Sequence, residues 1–329
     1  MTNFQDFVNS INQSNLSEID KMQILKNAEK LKTEKVHVLI TGATGCGKSS
    51  TINALFGTEK AKVGQSSNPE TIDIARYDLG NVVLFDSPGL GDGYEADLRH
   101  SKNIINKLLE KDSQGNLLID LVLVILDGGS RDLGTSYELI NKVIIPNLGE
   151  DKSRLLIAIN QADVAMKGRY WNYENNQPEP KLVAFLDEKV DSTRTRIFEA
   201  TGVTVNPIYY SAGYKDGNDE QQPWNLAKLL SYILSHTSEN KRIVYASEIN
   251  QRQEVWQKND DLEDYQAKVK ESFIESFINT IARGAGELAR GVVEGALSGL
   301  RTVGNVIGGV ARGIGNAIGS VVRTISSWW

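Results

Sequence analysis

Three glycines, a lysine and a serine stand at a spacing that suits a chain of phosphates. They are Gly42, Gly45, Gly47, Lys48 and Ser49 in the stretch GATGCGKS, which follows an apolar run and precedes a helix-compatible stretch. Glycines there let the backbone curl until its N–H groups point inward at phosphate oxygens, and the start of the following helix adds its positive end. The whole segment Gly42, Ala43, Thr44, Gly45, Cys46, Gly47, Lys48, Ser49, Ser50 is therefore a phosphate-cradling candidate. Lys48 suits the β- and γ-phosphates, and the Ser49 hydroxyl suits a Mg²⁺ ion.

Two further groups fit that ion and the terminal phosphate. Asp86-Ser-Pro-Gly89 closes the apolar run NVVLFD, 38 residues after Lys48. A carboxylate at that strand end holds Mg²⁺ through water, and the Gly89 N–H senses a γ-phosphate. Thr71, in SSNPETIDI, completes the Mg²⁺ shell when that phosphate is present, with Ser66 and Ser67 as rivals. Lys48, Thr71 and Gly89 are thus the residues expected to act on the γ-phosphate, and Ser49, Thr71 and Asp86 the metal ligands. Asn160-Gln-Ala-Asp163 follows the run LLIAI. The Asp163 carboxylate can accept both N1–H and the 2-amino group of guanine, a donor pair that adenine lacks. Asn160 suits the N7/O6 edge. Ser211-Ala212 supplies a second base-contacting loop, with a backbone N–H for O6.

These residues need elements to hold them. VHVLIT (36–41), NVVLFD (81–86), LVLVILD (121–127), LLIAIN (155–160) and PIYYSA (207–212) read as strands buried on both faces, because their apolar residues are continuous rather than alternating. Helical patterns fall near 48–56, 95–110, 134–145, 182–200 and 224–236, and 164–181 reads as a loop. Strand–helix alternation predicts an α/β fold, a mostly parallel central sheet flanked by helices.

In this order and on these strands, GATGCGKS, Thr71, DSPG, NQAD and SA resemble the translation-factor-like class of P-loop GTPases. GATGCGKSSTINALFG looks like Era-type, septin-type and immunity-related GTPases. The stretch through DSPGLGDG and DGGSRDLGTS most resembles bacterial and prophage GTPases of the Era-like, 50S-ribosome-binding type. The resemblance covers roughly residues 36–236. It implies GTP and GDP as ligands, Mg²⁺ as cofactor, and hydrolysis of GTP to GDP. Two positions depart from it. Gln161 stands where the base motif usually has a lysine packed across the phosphate loop, so nucleotide affinity is expected to suffer. Leu90 follows Gly89 where Ras-like proteins place a water-orienting glutamine, so intrinsic hydrolysis is expected to be slow. Arg131 is a candidate for a charge supplied in trans across a nucleotide-dependent dimer; an ion pair with Asp132 or Asp127 is the plainer reading.

The organisation expected along the chain is a helical N-terminal extension (1–35), the G domain (36–237), a charged helical stretch (238–281) and a glycine-rich tail (282–329). The tail is a different material. It holds 11 of the 29 glycines and a net charge of +3 within a chain of net −6. Arg290, Arg301, Arg312 and Arg323 recur every eleven residues, a period that barely drifts along a helix. On a helical wheel the repeat has a polar arc with the arginines and an apolar side (repeat positions two, three, six, nine and ten), with Trp328 and Trp329 at the end. Such a helix fits a membrane interface, and its Gly-x-x-x-Gly spacing fits self-association. Packing against the globular part is the third alternative. The charge-free runs are too short for a membrane span. Cys46 is the one cysteine, which excludes an internal disulfide. With no apolar leader, a cytoplasmic protein is expected, peripheral at the inner face of a membrane if the tail binds lipid. The acidic balance argues against nucleic acid as partner. The three histidines, His37, His100 and His236, suggest no metal site beyond Mg²⁺.

Overall fold

The computed structural model describes residues 11–57, 62–64, 74–89, 93–216, 219–302 and 307 of the 329. Among them a seven-stranded sheet runs in the order β2-β3-β4-β1-β5-β6-β9. Its strands are β1 (Val36–Gly42), β2 (Lys62–Gly64), β3 (Ala75–Asp78), β4 (Val82–Asp86), β5 (Leu121–Asp127), β6 (Leu155–Asn160) and β9 (Ile208–Tyr209). β4, β1, β5, β6 and β9 are parallel, while β2 and β3 form an antiparallel edge. That edge escaped the sequence reading because Ala75-Arg-Tyr-Asp78 has no apolar run to mark it. Two small ribbons stand apart, β7 (Trp171–Asn172) with β8 (Gln177–Pro178), and β10 (Tyr214–Asp216) with β11 (Asp219–Gln221). The first lies in the segment read as a loop.

Continuous apolar strands feed two cores, since successive side chains leave a strand on opposite faces. Leu39, Val83, Val122 and Val124 point into one core; Val38, Ile40, Leu84 and Leu123 point into the other. Helices α3 (Tyr94–Leu109), α4 (134–147, with a π-helical middle at Leu139–Ile144) and α5 (Pro180–Thr201) cover the first. The second is covered by α1 (Glu18–Thr33), α2 (Lys48–Phe56) and α6 (Leu226–Ser235), and by buried residues after α6 from Ile243 to Ile307.

The C-terminal part differs from the expected single helix over 238–281. Glu239–Arg242, Ile243–Ser247 and Glu254–Trp256 are short turns, and only α7 (Tyr265–Ile281) is long. The chain leaves helical geometry here because its groups are needed elsewhere. The Asn250 N–H donates to Leu55 O at 2.7 Å and its side chain to Ala54 O at 3.1 Å, satisfying carbonyls at the end of α2. Trp256 is fully buried and donates its indole N–H to Asn250 O. Asp264 then caps α7 by accepting from Ala267 N. These residues are a packed wall of the second core, not a solvated connector.

The tail's first repeat is also packed. Helix α8 (Glu287–Thr302) buries Ala289, Val293 and Leu297, and Ile307 beyond it is buried too. Leu288, placed on the apolar side by the repeat reading, is 76% exposed. The buried stripe follows i, i+4, i+8 and is rotated from the averaged eleven-residue wheel. Residues 303–306 and 308–329, with Arg312, Arg323, Trp328 and Trp329, lie outside the described residues. Among the described residues, no helix is long and apolar enough to cross a membrane.

Candidate nucleotide site

The site forms where β1, β4, β5 and β6 end, at the carboxyl edge of the sheet. β1 ends at Gly42, and α2 begins at Lys48. Between them the backbone turns through left-handed geometry, with φ of +79° at Gly45 and +87° at Gly47. Glycine is required twice over at position 47, because a Cβ there would collide with the Asn160 amide nitrogen. Lys48 folds its ammonium over the loop, donating to Gly42 O at 3.2 Å and Ala43 O at 3.1 Å. Thr44, Gly45, Ser49 and Ser50 are exposed, so the concave side is open to a ligand. Cys46 is fully buried, and burial pushes its thiol up to about 11. It is a packed small residue rather than a reactive one.

The DSPG segment is fastened beside the loop. Ser87 N donates to Ile40 O, and Ser87 Oγ to Thr41 Oγ1 at 2.7 Å. Gly89 sits so close to Thr44 that a Cβ would overlap the Thr44 backbone and hydroxyl. Asp86 is placed as a cation ligand would be: its Oδ1 is buried with no hydrogen-bond partner among the described residues. Burial lifts its pKa to about 6, against the pull of nearby Lys48. A buried carboxylate oxygen without a donor carries a free-energy cost that a cation would remove. Ser49 and Asp86 thus fit Mg²⁺, an ion that takes few protein ligands and completes its shell with water and phosphate. No cluster of three acidic, histidine or cysteine side chains competes for a metal among the described residues. Thr71, Ser66, Ser67 and Leu90 lie outside the described residues.

Asn160, Asp163, Ser211 and Ala212, the base-side candidates, lie together and bond to one another. Asn160 is 2% exposed. Its Nδ2 donates to Cys46 O at 3.0 Å, and its Oδ1 accepts from Ala212 N at 3.0 Å. The Ala212 N–H that the sequence offers to O6 is therefore engaged by Asn160, whose amide retains one hydrogen. Ser211 Oγ donates to Asp163 Oδ1 at 2.7 Å. Gln161, at φ +61°, lays its side chain across the loop as a lysine would and donates to Gly45 O at 2.9 Å. The contact expected to be lost with the lysine is kept, without the charge. Sequence reading missed Gln221, whose Nε2 donates to Asp163 Oδ2 at 3.2 Å. Arg131 is exposed and forms no ion pair with Asp127 or Asp132; those carboxylates accept from Gly129 N and Gly134 N.

Residues 37–161 match the model of the family described as 50S ribosome-binding GTPase. This stretch is similar to the P-loop GTPase domains of that family. Among known proteins, the tRNA modification GTPase MnmE of Xanthomonas oryzae pv. oryzae is 32% identical over 110 residues, covering 32% of this chain and 23% of that protein. The probable GTP-binding protein EngB of Methanococcus maripaludis is 31% identical over 90 residues, covering 27% of this chain and 38% of the relative. The chain thus spans less than two fifths of the length of these curated relatives. The solved structure of a probable GTP-binding protein engB aligns with 61% of this chain and 98% of its own, at 20% identity and a TM-score of 0.35. Ser211 and Ala212, which follow β9, lie beyond the matched residues and reach Asp163 and Asn160 in space.

Proposed function

We propose that the protein is a Mg²⁺-dependent guanine-nucleotide switch of the Era-like group that hydrolyses GTP slowly to GDP. The observation that carries this reading is the bridge made by Asn160. One side chain ties the phosphate loop, through Cys46 O, to the base-side loop, through Ala212 N. Asp163, oriented by Ser211, stands beside it. Phosphate and base recognition are thereby held in one register.

The reaction is in-line attack of water on the γ-phosphate. Lys48 neutralises charge developing on the phosphate oxygens, and loop N–H groups from Ala43 to Ser49 hold the chain of phosphates in place. Mg²⁺, held by Ser49 and Asp86 with Thr71 as the switching ligand, would withdraw charge from the β- and γ-oxygens. Leu90 offers no group to orient water, so turnover is slow unless a partner or a second copy supplies one. The tail beyond α8 places the protein on a membrane surface or in an oligomer, as the arginine period and terminal tryptophans suggest.

Nucleotide titration tests the core of this proposal. Lys48→Ala should abolish GDP and GTP binding. Asp163→Asn should weaken GTP and admit xanthosine triphosphate. Retained affinity in the lysine variant, or equal affinity of the unmutated protein for ATP and GTP, would overturn it.

A further inference from the structure

Gln221 lies 58 residues beyond Asp163 in a part of the chain that no motif marks. Its position is nevertheless built. The chain leaves the sheet at Ser211 and returns at Trp224, where the two residues exchange backbone hydrogen bonds of 3.0 and 2.9 Å. Inside this excursion β11 pairs with β10, opposing Gln221 to Tyr214. The ribbon is fixed at several points. Asn176 Nδ2 donates to Gln222 O at 2.8 Å, and Arg252 pairs with Glu220 at 2.9 Å. Gly213 packs so closely on Gln221 O that a Cβ would overlap it. Ala212, Tyr214 and Gln221 line a cavity of about 770 Å³ that Ser50 and Asn53 of α2 close from the other side. Asp163 does not line that cavity; the tie from this ribbon to Asp163 is the Gln221 side chain itself, through its hydrogen bond to Oδ2.

A carboxylate has about four acceptor positions. On Asp163 the protein fills one on each oxygen, Ser211 on Oδ1 and Gln221 on Oδ2. Guanine presents O6, N1–H and the 2-amino group in that order along one edge. Ser211 adjoins Ala212, which Asn160 holds, so Oδ1 is the oxygen on the O6 side and meets N1–H. The 2-amino group then falls to Oδ2, the oxygen that Gln221 already serves.

On the guanine-nucleotide reading above, we propose that Gln221 relaxes discrimination at the 2-position of the purine, so that the site accepts hypoxanthine nucleotides nearly as well as guanine nucleotides. Hypoxanthine keeps O6 and N1–H but lacks the 2-amino group. In a site where that group is the sole donor to a buried carboxylate oxygen, its loss strands the oxygen and affinity drops sharply. Here Gln221 continues to donate to Oδ2 whichever purine is bound.

The experiment is competition of GDP and IDP against a fluorescent GDP analogue on the full chain, with the wild type and with Gln221→Ala and Gln221→Met. Methionine matches the length of glutamine without its donor. The wild type should bind IDP within about threefold of GDP, and both variants should widen that ratio to about tenfold or more, mainly by losing IDP. A wild type that already rejects IDP, or variants that weaken both nucleotides equally, would overturn the proposal and leave the guanine site standing. A wild type that binds no GDP would overturn the nucleotide reading and this inference together.

Discussion

At the scale of single residues, the base-side loop turns on amides. Asn160 serves as donor and acceptor at once, a combination Asp cannot supply because a carboxylate only accepts. Gln161 shows how a departure from a motif can keep its geometry. At a φ of +61° its side chain lies over the loop, and the amide donates to Gly45 O. What is missing is charge beside an anionic ligand. Gln161→Lys should therefore tighten GDP several-fold, with the gain shrinking as salt rises. Unchanged or weaker binding at low salt would show that the neutral amide already provides all the loop needs. The phosphate loop, Asp86, Asn160, Asp163 and Ser211 were legible in the sequence because each sits where an apolar strand stops, a place that periodicity marks. Gln221 was not, because it returns from an excursion whose length and ribbon pairing leave no periodic trace. The engagement of Ala212 N by Asn160 was equally invisible, since both partners read as ligand contacts in isolation.

At the scale of elements, the sheet and its helices were legible wherever burial on both faces imposed continuous apolar runs. The segment after α6 was not, because polar side chains rather than periodicity dictate its path. Asn225 and Asp260 show this. Asp260 N donates to Asn225 Oδ1 at 2.7 Å, and Asp260 Oδ2 takes hydrogen bonds from Asn225 Nδ2 at 2.9 Å and Lys228 Nζ at 2.8 Å. Lys228 is 7% exposed, and its ammonium lies over the rings of Tyr209 and Tyr265. This pair docks the 250s onto α6 and hence onto the back of the P-loop helix. Burial alone would raise the Asp260 pKa, but the bonds from Lys228 and Asn225 outweigh it and hold the carboxyl below its usual range. A depressed carboxyl contributes stability above its unfolded pKa and loses it as pH falls through the folded value. Lys228→Ala leaves the Asp260 charge its Asn225 bond but no counter-ion, and should cost up to about 3–5 kcal/mol in denaturant melts at neutral pH. The gap between variant and wild type should narrow as pH falls through the usual carboxylate range, where the variant's carboxyl protonates first, and close only below the depressed wild-type value. A difference that stays constant from pH 7 to pH 3 would assign the loss to packing rather than to the ion pair.

At the scale of the molecule, helices from before β1 and after α6 complete one face of the sheet. α1, α7 and α8 share the core that α2 and α6 border, and Asn27 of α1 donates to Ile281 O and Arg283 O at the turn between α7 and α8. Only the start of the glycine-rich tail is described. Its first repeat is committed to the core through Ala289, Val293 and Leu297, with Ile307 beyond. Releasing Val293 and Leu297 would expose side chains worth about 1.5–3 kcal/mol each, so a lipid surface has to offset that cost before it can recruit α8. Residues 308–329, which hold Arg312, Arg323, Trp328 and Trp329, lie outside the described residues. The lipid contact proposed above would fall to the later repeats if α8 stays docked. Truncation after residue 307 keeps the four buried positions, so the melting temperature and GDP affinity should stay at wild-type values while co-sedimentation with anionic vesicles is lost. Truncation after residue 286 removes the stripe as well and should lower the melting temperature by several degrees or more. If the chain ending at 307 still sediments with vesicles as the full chain does, the later repeats are not the membrane element. If the full chain never sediments with either GDP or a non-hydrolysable GTP analogue bound, the tail's arginine period serves assembly instead, and analytical ultracentrifugation of the same two truncations should then show the loss of oligomers after residue 307.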